Sequence, residues 1–281
     1  MMKALLAASC SLTLLVGCGS EETAPREQVE APVAAAVAVD AKDTPTPTPS
    51  SRPVLEQDLP YGEAGASNLT GYLAMPGDAA EPLPGVVLIH EWWGLDDNIK
   101  AMSRRLAGEG YVVLAVDLYG GETAASAEQA EALMTRTLAE EEAVLDNIRQ
   151  AYEYLDKYAF SPAVGVMGWS LGAGLSLRAA LAMPDNFAAV VLYYGDVVAI
   201  SADLEALDTP LLGLFGADDA SIPVRDAQRF RGALRDLGKR YEVLIYPDAA
   251  HGFANPSADT YNADAAEEAW DKTLEFLAAN L

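Results

Sequence analysis

The sequence is poor in cysteine, histidine and basic residues. Its 281 residues include two cysteines, two histidines and 18 lysines and arginines, against 42 aspartates and glutamates. The net charge of −24 disfavours nucleic acid and anionic lipid headgroups as partners. Two distant histidines and so few thiols offer no set of metal ligands, so we expect neither a metal ion nor a cofactor.

The sequence also lacks an apolar run long enough to span a bilayer. The stretch Ala4–Val16 follows Lys3 and has the length of a signal-peptide core. It leads into Leu-Val-Gly-Cys, which resembles a bacterial lipobox ending at Cys18. We therefore predict a lipoprotein signal peptide over residues 1–17, lipidation of Cys18, and a position in the bacterial cell envelope, in the outer membrane facing the periplasm. The alternative is an ordinary signal peptide followed by a chance cysteine.

The rest of the chain divides into a tether and one domain. Residues 18–53 are rich in Ala, Pro, Thr and Glu and include a Thr-Pro alternation, which predicts a disordered spacer. Residues 54–281 have the length of a single domain. Membrane contact is expected through the lipid anchor only, and the oligomeric state is left open.

Apolar strand-like runs alternate with helical patterns along residues 54–281. This alternation predicts an α/β fold with a mostly parallel central sheet and helices on both faces. The segment 54–75 is expected to add two edge strands joined around Gly62 and Gly65. Residues 126–158 have the pattern of one or two long amphipathic helices, whose apolar stripe, including Leu133 and Leu138, is interpreted as packing. The other strands are predicted at 85–89, 111–116, 163–167, 188–194, 210–215 and 241–246, and the other helices at 96–109, 171–183, 223–237 and 260–280.

The most informative motif is Gly-Trp-Ser-Leu-Gly at residues 168–172, between an apolar run and a helical stretch. This is the G-x-S-x-G nucleophile elbow, whose small flanking residues permit a sharp strand-to-helix turn. A phosphate-binding loop would continue after its glycines with Lys and then Ser or Thr, but no such Lys-Ser or Lys-Thr pair follows Gly174. The motif predicts that Ser170 is a nucleophile.

A serine hydroxyl needs a base, and histidine suits that role near neutral pH. His90 precedes Ser170 in the chain and His251 follows it. Because α/β-hydrolases carry the nucleophile, acid and histidine in that order, His251 is predicted to be the base. His90 is interpreted as a structural, hydrogen-bonding histidine.

The acid is expected on the loop after the strand-like run 210–215. Asp218 and Asp219 compete for this role, and hydrolases of this fold resemble one another here through a Gly-x-x-Asp turn with a proline four residues after the acid. Gly216 and Pro223 place Asp219 at that position. Asp219 is predicted to hold the His251 tautomer, with Asp218 as the alternative. Asp203 and Asp208 lie in the same interval but do not follow a comparable strand.

Several ordered motifs resemble the dienelactone hydrolase family over roughly residues 55–281. They are His-Glu-Trp-Trp-Gly-Leu at 90–95, the segment 110–121, and His-Gly-Phe at 251–253. The resemblance implies an α/β-hydrolase fold and an oxyanion hole formed by the backbone N–H groups of Trp92 and Leu171. It also implies an auxiliary role for Glu91 beside the nucleophile. The alternative for Glu91 is a buried carboxylate paired with an arginine.

The sequence departs from this family at two points. The best-known members carry cysteine where this chain has Ser170, which implies an ordinary Ser-His-Asp esterase. They also hold a substrate carboxylate with arginines, whereas residues 252–261 contain neither Arg nor Lys and Arg136 has the pattern of an exposed helix charge. Dienelactone is therefore not the expected substrate. The residues proposed to wall an apolar acyl or alcohol pocket are Trp92, Trp93, Tyr193, Tyr194 and Phe253.

Taken together, the sequence predicts a hydrolase of carboxylic esters or lactones with the triad Ser170, His251 and Asp219. Two alternatives remain open: a thioesterase or acyltransferase that uses the same residues, and a non-catalytic envelope lipoprotein that keeps the fold as a binding scaffold. The expected partner is a small-molecule ester or lactone.

Overall fold

The computed structural model describes residues 52–65, 67–197 and 204–281. The predicted signal peptide, Cys18, nearly all of the predicted tether and Asp203 lie outside the described residues. Within these ranges no helix is both long and apolar enough to cross a membrane.

A mostly parallel β-sheet runs through the described chain. Its strands lie in the order β1-β2-β4-β3-β5-β6-β7-β8. Strand β2 is antiparallel to both β1 and β4, and the other neighbours are parallel. The strands are β1 (Val54–Ala64), β2 (Ser67–Pro76), β3 (Gly85–Ile89), β4 (Val112–Val116), β5 (Val164–Trp169), β6 (Ala189–Tyr193), β7 (Leu211–Gly216) and β8 (Tyr241–Tyr246).

The central strands are buried on both faces. Strands β3 to β7 are buried along their whole length, as expected for apolar runs in a parallel sheet covered by helices. Successive side chains of β3 alternate between the two cores, with Val87 and Ile89 in one and Val86 and Leu88 in the other. The predicted fold class is therefore confirmed.

The described chain contains six α-helices, of which five pack on this sheet and the remaining one, residues 127–138, packs against the next helix. Helices α3, α4 and α5 contribute Ile148, Leu177 and Phe230 to the core on one face. Helices α1 and α6 contribute Leu106 and Trp270 to the core on the other face. The helices are α1 (Asp97–Gly108), α2 (Ala127–Leu138), α3 (Glu141–Lys157), α4 (Leu171–Ala182), α5 (Val224–Asp236) and α6 (Ala263–Asn280).

The N-terminal hairpin differs from its prediction. Of its two strands, β1 alone lies at an edge of the sheet, because β2 pairs with β4 on its other side. Gly62 lies inside β1 at a register shift, and the turn falls at Gly65, whose φ of 62° suits glycine.

The amphipathic segment 126–158 forms two helices, with Ser126 capping the first by accepting the N–H of Gln129 at 3.3 Å.

Candidate active site

Ser170 occupies the sharp turn between β5 and α4. Its φ of 50° and ψ of −113° place it in a strained region of backbone space. A Cβ on Gly168 would lie 2.4 Å from the carbonyl carbon of Gly172, and a Cβ on Gly172 would lie 2.2 Å from the carbonyl oxygen of Ile89. Neither contact is possible without moving backbone, so both glycines of the elbow are required by packing.

The structure brings His251 to Ser170. The Ser170 Oγ lies 2.9 Å from His251 Nε2, and His251 Nδ1 lies 2.9 Å from Asp219 Oδ2. Because the carboxylate can only accept, Nδ1 carries the ring proton and Nε2 is left to accept the Ser170 hydroxyl proton. The His251 and Tyr194 rings pack in a T-shaped arrangement, with ring centroids 5.1 Å apart.

Asp219 is fixed through both carboxylate oxygens. Its Oδ1 accepts the backbone N–H groups of Ser221 at 2.8 Å and Ile222 at 2.7 Å, while Oδ2 faces His251. Asp219 is buried, whereas its neighbour Asp218 is exposed and donates its backbone N–H to the carbonyl of Ala249. Of the two candidate acids, the structure thus places Asp219 beside the imidazole.

His90 lies in the core with both ring nitrogens engaged. Its Nδ1 is 2.6 Å from the carbonyl oxygen of Glu91, and Leu118 N–H donates to its Nε2 at 3.2 Å. Complete burial lowers the pKa of this imidazole, which favours the neutral ring that the two contacts require. These contacts agree with the structural role expected for His90.

Glu91 is a buried carboxyl held by neutral donors. Tyr194 O–H donates to Oε1 at 3.1 Å, and the Asn255 amide donates to Oε2 at 2.7 Å. Burial raises the pKa of Glu91, and the hydrogen bonds from Asn255 and Tyr194 oppose that rise. The alternative prediction, that the Glu91 carboxylate pairs with an arginine, is wrong. Asn255 was not predicted, because an asparagine in a Pro- and Ser-containing loop reads as an ordinary turn residue.

A cavity of about 430 Å³ opens at Ser170. Leu171, the first residue of α4, and Trp92, on the loop after β3, both line it, so the two predicted oxyanion-hole residues lie on the same cavity as Ser170. Its lining consists of Trp92, Met134, Leu138, Ser170, Leu171, Gly174, Leu175, Arg178, Tyr194, Asp196, Ser221, Ile222 and His251.

Some expectations about the pocket are wrong. Tyr193 and Phe253 are buried in the core, and Tyr193 O–H donates to the carbonyl of Ala269 at 3.0 Å. Trp93 packs edge-on against Trp92 with ring centroids 5.1 Å apart and does not line the cavity. Leu138, interpreted as a packing residue, lines the cavity instead and is 42% exposed.

The two arginines Arg136 and Arg178 lie in different surroundings. Arg136 is exposed, and its Nη2 lies 2.7 Å from Glu122 Oε1, which agrees with the predicted surface charge. Arg178 lines the cavity and was not predicted, because a single arginine in an otherwise apolar helix gives no functional pattern. In the described ranges no three His, Cys, Asp or Glu side chains cluster in a way that could hold a metal ion.

These features define a class of protein. The nucleophile candidate follows β5, the acid follows β7 and the histidine follows β8, all at the carboxyl ends of parallel strands. A mostly parallel sheet with helices on both faces and a serine elbow at this position is the α/β-hydrolase fold.

Comparison with known proteins identifies the family. Residues 69–281 match the model of the dienelactone hydrolase family, so the chain belongs to that family of hydrolases. It is 29% identical over 260 residues to a protein of Saccharolobus solfataricus provisionally named a carboxymethylenebutenolidase, covering 79% of this chain and 98% of the relative. It is 30% identical over 224 residues to a similarly named protein of Escherichia coli K12, covering 74% and 82%.

The fold is shared with solved structures. The crystal structure of a protein from Klebsiella pneumoniae, provisionally named a dienelactone hydrolase, superposes with a TM-score of 0.73 at 26% identity. The match covers 80% of this chain and 99% of that chain.

Proposed function

We propose that this protein hydrolyses carboxylic esters or lactones through an acyl-enzyme formed on Ser170. The observation that carries the proposal is the continuous chain of hydrogen bonds from Ser170 Oγ through His251 to Asp219, with both contacts at 2.9 Å. Ser170 lines a cavity, through which a small ester can reach its hydroxyl.

In the first half-reaction, Ser170 Oγ attacks the ester carbonyl carbon while His251 Nε2 accepts the hydroxyl proton. Asp219 stabilises the imidazolium that forms and keeps its ring oriented. The Leu171 and Trp92 N–H groups are assigned to the oxyanion, since both residues line the cavity at Ser170. The tetrahedral intermediate then expels the alcohol, which takes its proton from His251.

In the second half-reaction, water replaces the alcohol. His251 Nε2 removes a proton from the water as its oxygen attacks the acyl carbonyl carbon. Collapse of the second tetrahedral intermediate breaks the bond to Ser170 Oγ, which recovers its proton from His251. With a lactone the same steps yield one hydroxy acid, because the alcohol and acyl parts belong to one molecule.

A labelling experiment tests the proposal against a binding scaffold. The full chain is expected to react with a fluorophosphonate probe and to hydrolyse p-nitrophenyl acetate, because both need an activated serine. Ser170→Ala should abolish labelling. The control is Ser67→Ala, which changes an exposed serine at the start of β2 and should label fully. A folded protein that neither labels nor turns over any ester would favour the scaffold.

We further propose that the protein is anchored to the envelope through lipid on Cys18, on the strength of the lipobox-like sequence that ends there. Cells that produce the full chain should carry it in the membrane fraction, and Cys18→Ser should release it or leave it as an unprocessed precursor. Mass spectrometry of the mature N-terminus supplies the direct measurement. An unmodified N-terminus beyond residue 18 would refute the anchor.

A further inference from the structure

The cavity at Ser170 is walled largely by apolar side chains. Leu175 of α4 is buried, and Leu171 and Ile222 are half-buried beside it. Helix α2 adds Met134, which is half-buried, and Leu138, which is 42% exposed. An exposed leucine at the rim of a cavity leaves apolar surface that a substrate could remove from water.

The charges around this cavity disfavour an anionic substrate. Among the described residues that line it, Arg178 is the one cationic side chain, and its Nη1 lies 2.7 Å from Glu141 Oε1. Because Glu141 already pairs with this cation, a substrate carboxylate would have to compete with Glu141 for Arg178.

We propose that the cavity binds an uncharged apolar chain of the substrate, and that Met134 and Leu138 of α2 determine the chain length that is accepted. This inference rests on the proposed ester hydrolysis and specifies its substrate class. The bound apolar chain is either the acyl part or the alcohol part of the ester, because either part can occupy the cavity while the carbonyl carbon lies at Ser170. Each methylene that enters the cavity should favour binding by about fourfold.

Two series of esters separate the two sources of the chain. One series lengthens the acyl group from p-nitrophenyl acetate to p-nitrophenyl hexanoate, and the other lengthens the alcohol from methyl acetate to hexyl acetate. We expect kcat/KM to rise about fourfold per methylene in one series and to stay nearly level in the other. An ester ending in a carboxylate should react on the order of tenfold more slowly than an uncharged ester of the same length.

Variants of α2 test whether Met134 and Leu138 contact the bound apolar chain. Leu138→Ala and Met134→Ala should each lower the ratio of kcat/KM for the longest and shortest esters by about fourfold or more, because apolar contact with the chain is lost. The matched control is Leu237→Ala, which truncates a leucine of similar exposure, 40%, at the end of α5. It should leave the ratio unchanged. Circular dichroism confirms that each variant is folded.

The outcomes distinguish this inference from the proposed function. Ser170-dependent turnover of short esters with no chain-length preference in either series would overturn the inference and leave ester hydrolysis standing. A preference for the carboxylate-bearing ester would overturn it as well. Loss of all turnover and of probe labelling would overturn both proposals.

Discussion

Replacing Ser170 with alanine is expected to lower kcat for p-nitrophenyl acetate by about 10⁴-fold or more, and His251→Ala should cause a similar loss. Without the hydroxyl there is no nucleophile to form the acyl-enzyme. Without the imidazole, the Ser170 proton has no acceptor at the 2.9 Å contact that the structure provides. Steady-state kinetics with the full chain, at one pH and over a range of substrate concentrations, measures both effects.

The double variant gives the sharper result. Because the two side chains act as one unit, Ser170→Ala combined with His251→Ala should be no slower than the slower single variant. Losses that multiply would show that the two residues act independently, which contradicts the proposed mechanism. The control variant Ser67→Ala, which replaces an exposed serine of β2, should keep full activity.

Asp219→Asn is expected to lower kcat by about 10⁴-fold, because an amide next to Nδ1 no longer fixes the tautomer that leaves Nε2 free to accept. Asp218→Asn is the matched control, since Asp218 is the adjacent residue but is exposed and contacts its surroundings through its backbone N–H. It should change kcat by about twofold at most.

Folding is a separate question for the Asp219 variant. An asparagine side-chain oxygen can still accept the N–H groups of Ser221 and Ile222, so the loop should keep its shape. Thermal unfolding of Asp219→Asn close to that of the wild type would therefore assign the loss to chemistry. A larger loss of kcat in Asp218→Asn than in Asp219→Asn would show that the acid is wrongly assigned.

The parts of the site that the sequence predicts are those in which backbone geometry dictates residue type. Gly168 and Gly172 are required because a Cβ on either would overlap backbone atoms. Gly216 is required for the same reason, since a Cβ there would lie 2.2 Å from the carbonyl oxygen of Ala249. Such positions leave short, local patterns that can be read without a structure.

The lining of the cavity could not be predicted in the same way. Tyr193 and Phe253 are aromatic residues close in sequence to proposed site residues, yet they point into the core. Leu138 belongs to an amphipathic stripe whose other members pack against protein. It is, however, the last residue of α2, and residues 139–140 separate it from the start of α3. Apolar periodicity tells which side of a helix avoids water and does not tell whether protein or ligand covers it.

The edge of the sheet shows the same limit. The segment 54–75 is predicted to form two strands, but nothing in its pattern of polar and apolar residues says which strand has one neighbour and which has two. Pairing of β2 with β4 is a long-range contact and so leaves no local signature.

The different hydrogen bonding of the two histidines has a spectroscopic consequence. Both imidazoles carry their proton on Nδ1, but His90 also receives the Leu118 N–H on Nε2 and is fully buried. The imidazole ¹⁵N spectrum of this protein should contain two ring systems, of which only that of His251 exchanges rapidly with water. Solvent exchange of the ring N–H signals therefore distinguishes the proposed general base from the buried His90 without site-specific labelling.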